Sequence, residues 1–322
     1  MVIVWRITEY CNLFCKFCGY SRELERPRRE ADAQAIRAFG AVLAEYHRST
    51  GDEVLVSWLG GEPLLWAPLE ELTKLFRKVF LLKVSTTTNG TCLGSAKMRA
   101  HLIEHYSELT ISVDAAGHLH DELRGWPGGY AYLQRNVSAL AREKTIAGGG
   151  PVLRANVLLM RQTLPGFEQL CAELARWGIE EITFNQLGGN DRPEFYPAHR
   201  LLPDQCDWLA AELPRLRARL SRHGVRLCGS DGYLTRIQAS AYGRRLPVRD
   251  CAPGKKFLFI DESGLISPCS FTGLPYGIPM QEVNSLLHFQ SLPARFASLR
   301  HERRAAVCGD CHSTQVFEKF AR

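Results

Sequence analysis

Short apolar runs alternate with stretches of helical spacing from residue 2 to about residue 225, and few folds accommodate that alternation. Residues 2–7, 53–58, 81–87, 109–113, 152–159 and 182–185 are short, largely apolar and rich in β-branched side chains, the composition of buried strands. Between them, residues 31–46, 68–80, 95–106, 130–141, 166–177 and 203–223 place apolar side chains three and four apart. Ser95 suits an N-cap and Gly178 a left-handed stop. Strands separated by helices of this length pair in parallel through right-handed crossovers. Six such units fall short of the eight that close a full barrel. The expected fold is therefore α/β, a partial (β/α)6 TIM-like barrel open on one side. Residues 226–322 lose the alternation and turn Cys-rich, which predicts a boundary near 225 and a small C-terminal α+β cluster-binding domain covering the gap.

With 45% hydrophobic and 23% charged residues in 322, the chain has ample material for such a core. Its net charge of +6 comes without a basic run interleaved with aromatics, so nucleic acid is not an expected partner. No apolar run approaches the ~20 residues that span a bilayer, and the N-terminus lacks a secretory pattern. A cytoplasmic location without membrane association is expected. Eleven cysteines in that setting point to metal or redox chemistry rather than disulfides.

Three of those cysteines, Cys11, Cys15 and Cys18, follow the first strand at spacings x3 and x2. Three thiolates hold three irons of a [4Fe–4S] cluster and leave the fourth open; with a distant fourth ligand they also suit zinc. Spacing alone leaves both readings standing. In βα folds the working residues lie on loops after strand C-termini. Gly60-Gly61-Glu62-Pro63, Thr88-Asn89-Gly90, Ser112 and Arg124 occupy such loops, and Asn156, Asn185 and Gln186 are expected to face the interior. His101 and His105 stand four apart, but Glu104 is misplaced for a zinc-protease helix, so they read as a solvated face.

Together these features resemble the radical S-adenosylmethionine (SAM) superfamily, whose C-x3-C-x2-C loop follows the first barrel strand. The resemblance implies a cluster on Cys11, Cys15 and Cys18 whose open iron is chelated by SAM, with Phe17 packed near the adenine. It implies further that Gly60, Gly61, Glu62 and Pro63 hold the SAM ammonium and that Thr88 and Asn89 face SAM. Ser112 would contact its ribose and carboxylate region, and Arg124 its carboxylate, as a guanidinium fork matches two oxygens.

Beyond residue 225, Cys251 and Cys269 bracket a hairpin-like run, and Cys308 and Cys311 follow a helical stretch. The layout resembles the twitch domain, a shortened SPASM domain, and implies one auxiliary [4Fe–4S] cluster on these four. In isolation a structural zinc ribbon would be the better reading of these four cysteines. Cys228 is a candidate hydrogen donor, or a small buried hydrophobe. The resemblance extends to radical SAM dehydrogenases and epimerases acting on aminocyclitols. It implies an oxidoreductase or epimerase of natural-product biosynthesis with a sugar- or aminocyclitol-like substrate, fed electrons by flavodoxin or ferredoxin. A maturase acting on a ribosomally made peptide is the alternative.

Overall fold

A computed structural model describes residues 1–321. Six strands, β1 (Val2–Thr8), β2 (Leu55–Gly60), β3 (Lys83–Thr88), β4 (Glu108–Ser112), β5 (Val152–Leu159) and β6 (Glu181–Gln186), pair in parallel and in chain order. β7 (Arg226–Leu227) joins beside β6, while β8 (Phe257–Ile260) returns to pair in parallel with β1. The short strand β9 (Leu265–Ser267) adds antiparallel to β8, and β10 (Ile278–Pro279) adds antiparallel to β9. In the order β10-β9-β8-β1-β2-β3-β4-β5-β6-β7 the two end strands do not meet, so the α/β barrel is partial. The sheet runs across the boundary expected near residue 225, because residues 226–321 supply strands to both of its edges.

The crossovers are α1 (Ala33–Thr50), α2 (Leu69–Lys78), α3 (Ala96–His105), α4 (His118–Arg124), α5 (Gly129–Ile146), α6 (Phe167–Arg176), α7 (Tyr196–His199), α8 (Pro203–Ser221) and α9 (Asp231–Ala241). The C-terminal region adds α10 (Gly273–Tyr276) and α11 (Leu286–Glu302). α1 starts where the Asp32 carboxylate accepts from Gln34 N, and it stops at Gly51, whose φ of 74° disfavours any side chain. Its Ile36, Phe39 and Leu43 pack on Ile3, Trp5 and Ile7 of β1, with Trp5 edge-on to Phe39 at 5.7 Å. β1 thus turns alternate residues to the helices and leaves Arg6 and Thr8 to the barrel side, where Arg6 meets Glu262 and Tyr20.

Across the N-terminal ends of β4 to β7, Arg154 bonds Glu108 and Glu181, and Arg226 pairs with Glu181. The last residues pack onto this ionic layer. Phe320 lies 5.2 Å from the Arg154 guanidinium, and Ser230 N and Gly229 N donate to the carbonyls of Glu318 and Ala321. His101 and His105 depart from the expected solvated face. Both are buried on α3, their rings 4.8 Å apart, and burial pulls His101 down to about 4. Periodicity places them on one face of a helix but does not say that Tyr106 packs there. Among the described residues no helix is long and apolar enough to cross a membrane.

Candidate active site

The loop after β1 carries Cys11, Cys15 and Cys18 inward. Asn89 Nδ2 donates to Cys11 Sγ at 3.8 Å, Tyr20 N donates to Cys18 Sγ at 3.4 Å, and Cys15 Sγ lies 3.9 Å from the Arg124 carbonyl. Burial raises all three thiols, Cys15 to about 12, with Arg124 the main opposing charge on Cys15. Three thiols held this deep ionise only beside a cation, and N–H groups aimed at two of the sulfurs suit thiolate ligands of an iron–sulfur cluster. Among the described residues no three His, Cys, Asp or Glu side chains are placed to share a single metal ion. A tetrahedral zinc, with Zn–S near 2.3 Å, draws its thiolates to within about 4 Å of one another.

The turns after β2 and β3 brace that loop. A Cβ on Gly60 would stand 2.2 Å from the Thr8 carbonyl oxygen, and one on Gly61 would stand 2.1 Å from that of Tyr10. Neither backbone oxygen can move aside, because Gly61 N and Glu62 N donate to these same carbonyls at 2.8 Å. Glu62, expected to offer its carboxylate to a cofactor, is instead enclosed. It accepts from Thr88 Oγ1 and Asn89 N at 2.7 Å and from Leu64 N at 3.1 Å. Burial raises it to about 7 against those three bonds. Pro63 begins the one-turn helix that Glu62 caps. Thr88 and Asn89 are likewise interior: Thr88 serves Glu62, while Asn89 reaches Cys11 and, at 2.9 Å, Asn12 Oδ1.

Arg124, at the end of α4, donates from Nε to Asp114 Oδ2 at 2.8 Å and stands 5.5 Å from the centre of the Phe17 ring. Its terminal nitrogens carry no hydrogen bond among the described residues, so the outer edge of the fork is open. Asp114 is fully used, since Leu158 N donates to Oδ1 and the Asp114 N–H donates to His120 Nδ1. Asp121 is not Arg124's partner; it accepts from Gly128 N and Tyr130 N and so starts α5.

A chamber of 740 Å³ opens beside Phe17 and Cys18. Leu158, Asn185, Gln186, Tyr233 and Ser240 form much of its wall, and Asp191 joins it close to Gly19, next to Cys18. Ser112 and Asn156 are register partners on β4 and β5, both half-buried and neither in the chamber wall. Cys228 is 2% exposed and absent from the chamber wall; its N–H donates to the Ile182 carbonyl at 2.8 Å. A second cavity, of 570 Å³, is lined by all four of Cys251, Cys269, Cys308 and Cys311. The two share Asn190, Phe271 and His312, so one thin wall separates them. Arg236 of α9, fully buried, joins barrel to cysteine loop by bonding Asp310 and the Cys311 carbonyl at 3.2 Å. Neither Arg236 nor Lys319, described below, carries a spacing signal in the sequence.

The radical SAM superfamily model matches residues 5–154. The chain is 26% identical over 297 residues to an AdoMet-dependent heme synthase of Oleidesulfovibrio alaskensis, covering 86% of this chain and 71% of that one. Its fold is similar to Streptococcus suis SuiB bound to S-adenosylmethionine, at 17% identity and a TM-score of 0.65, covering all of this chain and 76% of SuiB. Against SuiB bound to the precursor peptide SuiA the identity is 18% and the TM-score 0.60, over 85% of this chain and 60% of that one.

Proposed function

We propose, on the match of the radical SAM superfamily model to residues 5–154, that the chain reductively cleaves S-adenosylmethionine and takes hydrogen from a polar small molecule of sugar or aminocyclitol kind. The chamber beside Cys18 carries this reading. Its 740 Å³ suits one small ring, and Asn185, Gln186, Tyr233 and Ser240 supply hydrogen bonds to hydroxyls. Asp191, which has no ion-pair partner among the described residues, suits an amine.

Cys11, Cys15 and Cys18 would hold the SAM-binding [4Fe–4S] cluster, and Cys251, Cys269, Cys308 and Cys311 an auxiliary one. When bound, the cluster and SAM supply the 5′-deoxyadenosyl radical that abstracts the hydrogen. Gly60 and Gly61 bring the backbone close, and the Gly61 carbonyl accepts no hydrogen bond among the described residues, which suits an ammonium. The open edge of Arg124 suits a carboxylate. Ser112, with its register partner Asn156, would meet the ribose and carboxylate region, and Phe17, beside Cys18, would offer the adenine a flat surface. Glu62, Pro63, Thr88 and Asn89 act at one remove by holding the cysteine loop. A flavodoxin or ferredoxin would supply the electron.

Dehydrogenation is favoured over epimerisation. Cys228, the candidate hydrogen donor, is buried and absent from the chamber wall, whereas the four-cysteine cavity adjoins the chamber through Phe271 and His312. A ribosomally made peptide is the second reading, favoured by the likeness to SuiB, which was solved with its precursor peptide. Anaerobic reconstitution followed by SAM, reductant and candidate substrates in deuterated water separates these outcomes. An oxidised product without solvent deuterium supports dehydrogenation, and deuterium at a stereocentre means epimerisation. Protein that retains only zinc, or yields no 5′-deoxyadenosine, ends the whole reading.

A further inference from the structure

The C-terminal residues 313–321 lie in short turns, yet they are tied firmly to the barrel. Ser230 Oγ donates to the Phe317 carbonyl at 2.8 Å, and Ser230 N donates to the Glu318 carbonyl at 3.2 Å. Glu318 adopts a φ of 54°, a conformation that non-glycine residues take at a cost of about 1 kcal/mol or more. The side chain that follows this turn points inward. Lys319 is 6% exposed and its Nζ donates to Asn156 Oδ1 at 2.7 Å.

We propose that Lys319 is a positioning residue that fixes the orientation of the Asn156 amide, so that its oxygen is committed to the lysine and its nitrogen is left free inside the barrel. The inference rests on the radical SAM reading and concerns how the floor beneath the cofactor and substrate is set. Asn156 Oδ1 is crowded with donors: besides Lys319, Thr183 Oγ1 lies at 3.2 Å and Asn185 Nδ2 at 3.4 Å. Its Nδ2 has no partner among the described residues. The Asn185 amide nitrogen is a donor at any pH and Lys319 as an ammonium cannot accept, so a turned Asn156 amide would set N–H against N–H. The half-buried Asn156 therefore keeps two donors and no acceptor free, and it meets the chamber wall through Asn185. Asn185, which does line the chamber, is itself held by the Tyr233 hydroxyl at 3.0 Å. The floor is one connected network reaching from the C-terminal segment to the chamber wall.

Burial of this ammonium is unfavourable, which argues that it is retained for more than packing. Desolvation, with Arg154 adding to it and the Cys228 thiol opposing, brings Lys319 down to about 7. The other charges of this layer, Glu108, Glu181 and Arg226, are already paired with Arg154 or one another.

The test is a double-mutant cycle on reconstituted enzyme, following 5′-deoxyadenosine formation with SAM as the probe. Lys319→Met is expected to raise KM for SAM about tenfold, the worth of one good hydrogen bond, with iron content unchanged. Asn156→Asp keeps an oxygen for Lys319 but loses the donors, and should raise KM to a similar degree. The double variant should be no worse than either, because both act through one amide. Should the Met variant fail to fold, Lys319→Gln, still able to donate, should give a KM between wild type and Asn156→Asp. A Lys319 variant with wild-type KM, or effects that simply add, overturns the inference while the radical SAM reading stands. Wild type that makes no 5′-deoxyadenosine removes both.

Discussion

The amide nitrogen of Asn89 stands 3.8 Å from the thiol of Cys11, so the turn after β3 and the cysteine loop after β1 form one unit. The same Nδ2 holds Asn12 at 2.9 Å, and its Oδ1 accepts from Thr91 N at 2.9 Å. Asn89→Ala should therefore loosen the cysteine loop without touching Cys15 or Cys18. The expected result is slower iron uptake on reconstitution and a stability loss of about 1–2 kcal/mol. Iron content against time and denaturant midpoints measure both. Unchanged uptake would mean that the loop needs no brace.

Glu62 gives a sharper test, because its carboxylate receives three donors and has no exposed surface. Glu62→Gln keeps the shape but turns one acceptor into a donor, facing either Asn89 N or the Thr88–Leu64 pair. One hydrogen bond becomes a clash of donors, and a loss of about 1–3 kcal/mol is expected from urea unfolding of the metal-free protein. A Gln variant as stable as wild type would show that Glu62 is protonated and already shares a proton with a neighbour.

Why Glu62 and Asn89 stood out in the sequence while Lys319 did not is a matter of local pattern. Gly60-Gly61-Glu62-Pro63 and Thr88-Asn89-Gly90 are turn chemistry at the ends of apolar runs, so residue types and positions mark them together. The parallel α/β sheet was legible in the same way, from β-branched runs spaced by helical ones. What Glu62 binds was not legible, because its partners are supplied by β3, two dozen residues later in the chain. β7 has two residues, too few to show a period, and β8 pairs with β1 across some 250 residues of sequence. Lys319 follows a strained Glu318 in a segment with no periodicity, and only tertiary packing reveals that it points inward. His101 and His105 show the same limit, since helical spacing names a face without saying what covers it.

Arg236 joins the barrel to the loop of Cys308 and Cys311 through Asp310, and Asp310 also accepts from Leu246 N at 3.1 Å. Arg236→Leu should destabilise by about 2–3 kcal/mol, below the usual loss for a fully buried pair because Asp310 is a third exposed. If the four cysteines bind a cluster, the variant should also lose about four irons while keeping the SAM-binding set. Iron analysis beside 5′-deoxyadenosine formation measures this. Retention of full iron content would show that the loop is held by its other contacts.

Lys319 makes a pH prediction whose sign follows from its environment. Burial brings the folded-state value down to about 7, whereas an unfolded lysine titrates near 10.4. Between those values the unfolded chain carries the extra proton, so stability rises with pH across that window. Below about 7 both states are charged and the folded protein bears the full penalty of the buried ammonium. Urea unfolding of wild type should therefore give a midpoint that climbs from about pH 7 to about pH 9, beyond the contribution of other groups. Lys319→Met should flatten that climb and be the more stable protein at pH 6, where the penalty it removes is greatest. A variant whose midpoint tracks wild type across the window would mean that the ammonium reaches water, in which case the 2.7 Å bond to Asn156 does not persist in solution.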